Sequence, residues 1–596
     1  MLFGRHVNKY LFRYLPYFLI GIATLVFVDV VQTRIPEYLG QIIDQNNELK
    51  VDLDGLGAIV GGILFCAAGM FIGRVVWRLT IFRASTGIAA RLRQEMFEHA
   101  ESLSASYYHE NKVGNIMNWF TSDIEEISDF YGWGTVMLVD AVFLSLIVLV
   151  KMFRLNPWLS LLAAIPLVLI IVWGALVEYF MSKKWENRQK EYDLLYDFAQ
   201  ENFTGIRVIK SFVKQNKEIH AFAKIAKKNQ DVNVSFGRMS VLFDVLIQVI
   251  LIIEMAFIMG FGGYLVYAVA TGNPLVLFGK EVVLSTGQLM EFLGYIELIV
   301  WPMIALGQIM AMRSRAKGSL KRISAFLDSK PEIVNPENAV ALTDVKGAIE
   351  FKDFSFDYPG QNRTALSHID LAIKPGQHIG IVGKIGSGKT TLVNVLFHLY
   401  NIEKGKVFID GVDLMDIDIY SLRDAIAYAP QDNFLFSDKI SNNIAFSSDS
   451  PEMDRVVESA SFADVASNID DFPRKYDTVS GERGVTLSGG QKQRVSIARA
   501  FYKKAPILVM DDCVSAVDVK TEETILGNIA RERKDQTTLL IASRVSSVVH
   551  MDKIIVLEEG NLVGFGSHNE LMKSCPTYQR MVYLQELEKE VEGGAR

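Results

Sequence analysis

The sequence predicts two fold classes in series: an all-α membrane half with six transmembrane helices, then an α/β half of the P-loop kind. Three observations lead there. Long apolar runs are confined to the stretch before residue 315. After residue 345 the pattern changes to short strands alternating with helices. Within that second half, a G-x-x-x-x-G-K-T run sits between an apolar strand and an apolar helix.

Composition sets the outer bounds. At 596 residues, 50% of them apolar, the chain is too long for one domain and too hydrophobic for an ordinary soluble protein. A net charge of −7 offers no basic surface, so no nucleic-acid partner is expected. Cys66, Cys513 and Cys575 are far apart and form neither a disulfide framework nor a metal spacing, which fits a reducing environment.

Two runs, 56–73 and 158–177, carry no charge and approach the ~20 residues that a membrane helix needs. Four others contain acids: 15–35 with Asp29, 133–151 with Asp140, 241–269 with Glu254, and 282–312 with Glu291 and Glu297. A soluble core helix explains any one of these, but not six in one half. The reading is therefore a membrane domain over 1–327, with spans at 15–35, 56–80, 133–152, 158–180, 241–270 and 282–312. The polar stretches 81–132 and 181–240 are rich in Lys and Arg, which places them, both termini and the second half in the cytosol. Their helical periodicity predicts that the membrane helices continue far past the bilayer to short turns. The opening "MLFGRHVNKYLFRYLPYF" lacks the core and cleavage site of a signal peptide and reads as an amphipathic helix on the inner membrane face. Residues 328–347 form a linker without period, and 348–596 form the second domain.

The phosphate-binding run comprises Gly383, Gly386, Ser387, Gly388, Lys389, Thr390 and Thr391. Its glycines let backbone N–H groups face phosphate oxygens, the helix start adds a positive dipole end, Lys389 reaches the β/γ-phosphates, and Thr390 offers a hydroxyl to Mg²⁺. Downstream, "ILVM" delivers Asp511 to the end of a buried strand, where it can join the Mg²⁺ shell. "LSGGQKQRVSIARA" lies just before it, with Ser488, Gly489, Gly490 and Gln491.

On these motifs the chain resembles an ATP-binding cassette (ABC) transporter of the exporter type over nearly its whole length; "LSGGQ" is the most specific part. The resemblance implies further roles. Tyr358 in "FDYPG" would stack on adenine, and Gln431 in "YAPQDNFLF" would touch Mg²⁺. "SGERG" (480–484) and "SAVD" (515–518) resemble loops near the signature and the partner cassette. "GNIMNWFTSDIEEI" (114–127) and "ENFTGIRVIKSF" (201–212) resemble the loops that dock on cassettes. In this family two cassettes meet head to tail, so Ser488, Gly489, Gly490 and Gln491 would serve the ATP held by a partner's P-loop.

Two departures from the family pattern matter. The residue after Asp511 is usually Glu, which activates the attacking water; here it is Asp512, one methylene shorter. A general base must come within about 2.6–3.2 Å of its proton, and a misplacement of about 1 Å can cost about 100-fold. The family's switch His is replaced by Ser543 in "LLIASRVSSV", whose hydroxyl is shorter and carries no charge. Together they predict slow or absent hydrolysis on this P-loop. With an intact signature, that predicts a heterodimer with a second half-transporter; a homodimer with two slow sites is the alternative.

Acids within spans are costly in lipid and mark cavities or structural pairs. Asp140, Glu254 and Glu297 are the candidates for a substrate cavity that would suit cationic amphipathic compounds, with pairing to Arg34, Arg74 or Arg78 as the other reading. The expected partners are thus a second half-transporter, membrane lipid and a small-molecule substrate, with ATP and Mg²⁺, in the plasma membrane. Direction remains open, because some siderophore or haem importers share the exporter pattern.

Overall fold

The computed structural model describes residues 4–47, 53–277, 280–359, 364–481, 484, 486–515 and 517–594. The chain divides into two compact units, one of residues 1–101 and 113–329, the other of 102–112 and 330–596.

The first unit is helical. Its main helices are Arg5–Gln32, Arg34–Asn47, Leu53–Ser102, Val113–Leu155, Pro157–Thr204, Gln215–Ala270 and Thr286–Leu327. Among the described residues, five helices are long and apolar enough to cross a membrane. The remaining expected span, 158–180, falls inside Pro157–Thr204, where part of the side chains lie outside the described residues. The 56-residue helix Gln215–Ala270 is over ~80 Å long at ~1.5 Å per residue, far beyond a ~30 Å hydrocarbon core. The basic, aromatic start is not a separate interfacial helix: Arg5–Gln32 runs unbroken through Pro16. Nor is 36–55 a plain loop, since Arg34–Asn47 is helical, and the short connection before the last helix carries a hairpin of β1 (Leu275–Leu277) and β2 (Lys280–Val282).

Several polar groups in this unit are joined across helices, which offsets the cost of burying them. Helix Val113–Leu155 contains two π-helical turns, Trp119–Asp123 and Asp140–Leu144. Each presents an aspartate to the last helix. Arg322 grips Asp123 with Nε at 2.8 Å and Nη2 at 2.5 Å, while the Ser319 hydroxyl donates at 2.9 Å. Deeper, Trp301 Nε1 donates to Asp140 at 3.0 Å.

The tip between Leu53–Ser102 and Val113–Leu155 holds a short helix, Ala105–Glu110, rather than a simple turn. This tip, 102–112, groups with the second unit, where Ser104 and Ser106 donate to Glu332 and Asn401 Nδ2 donates to the Glu332 carbonyl at 2.7 Å. The segment expected to dock, 114–127, is instead part of a helix of the first unit. The other, 201–212, ends one long helix and forms helix Ile206–Ser211, with Phe203 and Phe212 exposed.

The second unit contains two sheets. The antiparallel sheet has the order β4 (Thr364–Ile373), β3 (Ile349–Asp357), β6 (Val407–Ile409), β7 (Val412–Asp413). The larger has the order β12-β11-β5-β10-β9-β8. In it β5 (His378–Gly383), β8 (Ile426–Ala429), β9 (Ile507–Asp511), β10 (Thr537–Ile541) and β11 (Lys553–Glu558) run parallel, and β12 (Asn561–Gly566) is antiparallel at the edge. Strands β9 and β10 are buried at every residue, which is why they read as apolar runs without alternation. The alternation of β3 breaks at Lys352 and Asp353, where its pairing with β4 shifts register.

Asp123→Ala removes the shared partner of Arg322 and Ser319. Because Arg322 is half exposed, the expected loss is about 1–2 kcal/mol, seen as a lower melting temperature of the detergent-solubilised chain.

Candidate functional site

Strands β5, β10 and β9 are neighbours, and their carboxyl ends bring together three loops that are distant in sequence. These are the P-loop after β5, Asp511–Asp512 at the end of β9, and Ser543 just past β10. The carboxyl edge of a parallel sheet is where such folds place ligands. A cavity of about 620 Å³ opens there, lined among others by Tyr358, Lys389, Gln431, Asp512, Ser543 and Met581.

The P-loop backbone demands its glycines. Gly386 and Gly388 take φ of +79° and +95°, in the left-handed region. A Cβ on Gly388 would lie 2.7 Å from Leu366 Cδ2, and one on Gly383 would lie 2.4 Å from the Leu557 carbonyl. The helix Lys389–Leu396 starts directly on Gly388 with no side-chain cap, which leaves its first N–H groups facing the cavity. The Ser387 hydroxyl is buried and has no partner among the described residues. Lys389 Nζ folds over the loop and donates to the Gly383 and Lys384 carbonyls, both at 2.9 Å. Burial lowers its pKa against the raising influence of Asp512 and Asp511. A polyphosphate fits this cradle: an uncapped helix start, an orphan hydroxyl and a half-buried ammonium suit an anionic oxygen.

Thr390 Oγ1 donates to Asp511 Oδ1 at 3.3 Å, and the Tyr428 hydroxyl to Asp511 Oδ2 at 3.5 Å. Burial raises the Asp511 carboxyl above its usual range; the Thr390 hydrogen bond works against this, and Asp512 adds to it. Asp511 and Thr390 stand side by side with Gln431 on the same cavity, a hard-oxygen set suited to Mg²⁺. Also on the cavity wall, the Tyr358 hydroxyl pairs with Thr391 Oγ1 at 2.9 Å, and its ring meets Tyr400 edge-on at 5.3 Å.

Asp512 adopts φ +46°, a left-handed conformation that Asp tolerates better than most residues. Its N–H donates to the Ile541 carbonyl at 3.0 Å, and its Oδ1 accepts from the Ser543 N–H at 3.3 Å. The acid is therefore turned toward the loop where the serine stands. Ser488 and Gln491 form a reciprocal cap at the start of helix Gly489–Tyr502: Ser488 Oγ accepts from Gln491 N, and Gln491 Oε1 accepts from Ser488 N at 2.9 Å. Gly489 and Gly490 are its first two residues. Glu482 and Arg483 of the expected loop 480–484, and Ala516 of 515–518, lie outside the described residues.

The three membrane acids differ in their surroundings. Asp140 is bound to Trp301, Glu254 is buried with no hydrogen-bond partner, and Glu297 is exposed. Arg34 pairs with Glu37 rather than with any of them. Tyr428, Met581 and Gln585 were invisible in the sequence as site residues, because no motif marks them. They reach the site only through the sheet and the helix Pro576–Gly594.

A bundle of membrane-length helices joined to this P-loop site defines a membrane protein driven by a nucleotide. Residues 18–278 match the family described as ABC transporter transmembrane region, and residues 366–515 the one described as ABC transporter. The chain is 30% identical over 577 residues to the probable multidrug resistance ABC transporter ATP-binding/permease protein YheI of Bacillus subtilis, covering 97% of this chain and 96% of that one. It is 31% identical over 569 residues to the multidrug resistance-like ATP-binding protein MdlA of Escherichia coli, covering 95% and 94%. It is 30% identical over 519 residues to the ATP-dependent lipid A-core flippase of Desulfotalea psychrophila, covering 85% and 86%. In fold it matches the structure of a bacterial Atm1-family ABC exporter with ATP bound, at TM-score 0.77 and 24% identity over 97% of this chain and 99% of the other. The chain belongs to the ABC transporter family, as an ATP-hydrolysing half-transporter of the exporter type.

Gly388→Ala forces a side chain into a left-handed position against Leu366 and the Ala365 carbonyl. It is expected to weaken labelled-ATP binding at least about tenfold, as strain of about 1–2 kcal/mol implies. Lys389→Ala should remove measurable binding while the melting temperature stays close to that of the parent.

Proposed function

We propose that this chain is one subunit of a heterodimeric ABC exporter, and that it binds ATP with Mg²⁺ at a degenerate site. The observation that carries this reading is the Asp512–Ser543 pair. Where the family uses a glutamate and an imidazole, a shorter carboxylate accepts a hydrogen bond from the serine backbone. An aspartate can still accept a proton, but from a retracted position; a serine cannot carry the charge that an imidazole sets against a developing phosphate charge.

In this reading Gly383, Gly386, Ser387, Gly388, Lys389 and Thr391 hold the phosphates, Tyr358 stacks on the base, and Thr390, Gln431 and Asp511 hold Mg²⁺. The magnesium ion would neutralise charge on the β- and γ-oxygens when bound. Ser488, Gly489, Gly490 and Gln491 act in trans: the capped helix start supplies N–H groups to the γ-phosphate on the partner's P-loop. The second chain carries Glu and His at the two altered positions, and turnover takes place mainly there.

The substrate class is amphipathic, drug-like or lipid-like. Support comes from the relatives described as multidrug resistance proteins and as a lipid A-core flippase. Asp140, Glu254 and Glu297 remain the acids proposed to meet a cationic part of such a compound. Both termini face the cytosol of a plasma-membrane protein. The importer direction and a slow homodimer are the readings that would replace this one.

The pair discriminates them. Ser488→Arg in this chain should abolish ATPase activity of the assembled transporter, while Asp512→Glu alone should barely raise it. Phosphate release by the purified chain without a partner at several turnovers per second would sink the heterodimer reading. Uptake against efflux in inverted vesicles settles direction.

A further inference from the structure

The loop after β10 owes its position to a residue that no motif marks. The Val545 N–H donates to Gln585 Oε1 at 2.7 Å, and Gln585 Nε2 donates to the Ser543 carbonyl at 3.1 Å. One side-chain amide thus satisfies a donor and an acceptor of the loop backbone, two residues apart. Only one orientation of the amide does both, since the N–H needs an oxygen and the carbonyl needs an NH₂. Further restraints come from backbone hydrogen bonds, Ser547 N–H to the Arg544 carbonyl and Val548 N–H to the Val545 carbonyl, and from Glu522 on helix Val519–Glu532. It is buried, accepts the Ser547 hydroxyl, and meets Arg544 Nη1 at 3.4 Å. The Ser543 N–H is the group that engages Asp512.

Gln585 lies on helix Pro576–Gly594, and that helix also reaches the nucleotide cavity directly. Met581, one helical turn earlier, is part of the cavity wall. The start of the helix is anchored by Tyr578, which is fully buried and hydrogen-bonded to His568 Nδ1 at 2.9 Å. Two stretches of the cavity wall, Ser543 and Met581, are therefore carried by one anchored helix and one side-chain amide.

We propose that Gln585 is a positioning residue of the ATP site: it straps loop 543–547 to helix Pro576–Gly594, fixes the partner of Asp512, and so sets how long nucleotide stays bound on this P-loop. The inference rests on the reading of this site as one that retains ATP. A site that holds nucleotide without cleaving it is governed by its release rate. A wall that can swing away speeds release without touching the phosphate contacts.

The test uses the full-length chain in detergent or nanodiscs, loaded with Mg²⁺ and mant-ATP and chased with unlabelled ATP in a stopped-flow instrument. Gln585→Ala removes both hydrogen bonds and should speed release about tenfold, the scale of two neutral hydrogen bonds. Gln585→Glu keeps the acceptor for Val545 but sets an oxygen against the Ser543 carbonyl, and should speed release at least as much. Arg580→Ala, on the same helix but exposed, should release at the parent rate. The melting temperature should be unchanged in all three. Parent-like release from both Gln585 variants overturns the proposal, and so does acceleration by Arg580→Ala equal to theirs. If Gln585→Ala does not fold, Gln585→Glu decides by the same rate. Phosphate release measured on the same samples keeps the outcomes apart: fast hydrolysis by the parent chain defeats the degenerate-site reading, whereas unaltered release rates defeat only the strap.

Discussion

The pairing of β10 between β5 and β9 is the constraint on which the nucleotide site depends. Register places Ile541 opposite both Ile381 and Asp511, so β9 and β10 end level with each other while β5 runs on to Gly383, where the P-loop begins. Parallel strands are held by evenly spaced hydrogen bonds and buried on both faces, which makes slippage costly. The P-loop, over a hundred residues before Asp511, and Ser543, past the next strand, thereby arrive with Asp511 on one cavity. Without that register, Asp512 and Ser543 would have no reason to meet.

The same edge fixes the surroundings of Asp512. Asp512 sits in a left-handed turn whose N–H is tied to Ile541 and whose carbonyl accepts from the Ser515 hydroxyl at 2.8 Å. These two bonds hold its backbone in that turn. The carboxylate settles on the nearest donor, the Ser543 N–H, and that donor is held from the other side by Gln585.

In the membrane half, burial of polar groups organises the packing. Aspartates at the two π-helical turns are matched by Arg322, Ser319 and Trp301 of the last helix, and Lys151 reaches Glu37 at 2.5 Å. The Tyr295 hydroxyl, with one hydrogen to give, lies within hydrogen-bond distance of both Glu37 and Glu291. Acids that look alike in an apolar run therefore have different fates: Glu37 and Asp123 are paired, Asp140 has one donor, and Glu254 has none among the described residues. Spacing along one helix could not sort them, because each answer depends on a second helix.

Much of this protein was legible from local chemistry. Apolar length identifies membrane helices because lipid accepts little else. Glycine-Lys-Thr spacing identifies the P-loop because only glycine takes the required backbone, and the S-x-x-Q of 488–491 reads as a cap because side chains three residues apart meet at a helix start. These features act over a few residues, so a linear string contains them. Contacts between distant segments are a different matter. The tip that joins the nucleotide-binding unit was misplaced by about ten residues, since 102–112 and 114–127 are both polar and helical and nothing local separates them. The grip of Gln585 on the loop after β10, and the burial of Glu254 without a hydrogen-bond partner among the described residues, belong to the folded chain alone. Hydrogen bonds reach only about 3 Å, and which groups come that close is decided by how sheets and helices far apart in sequence pack together.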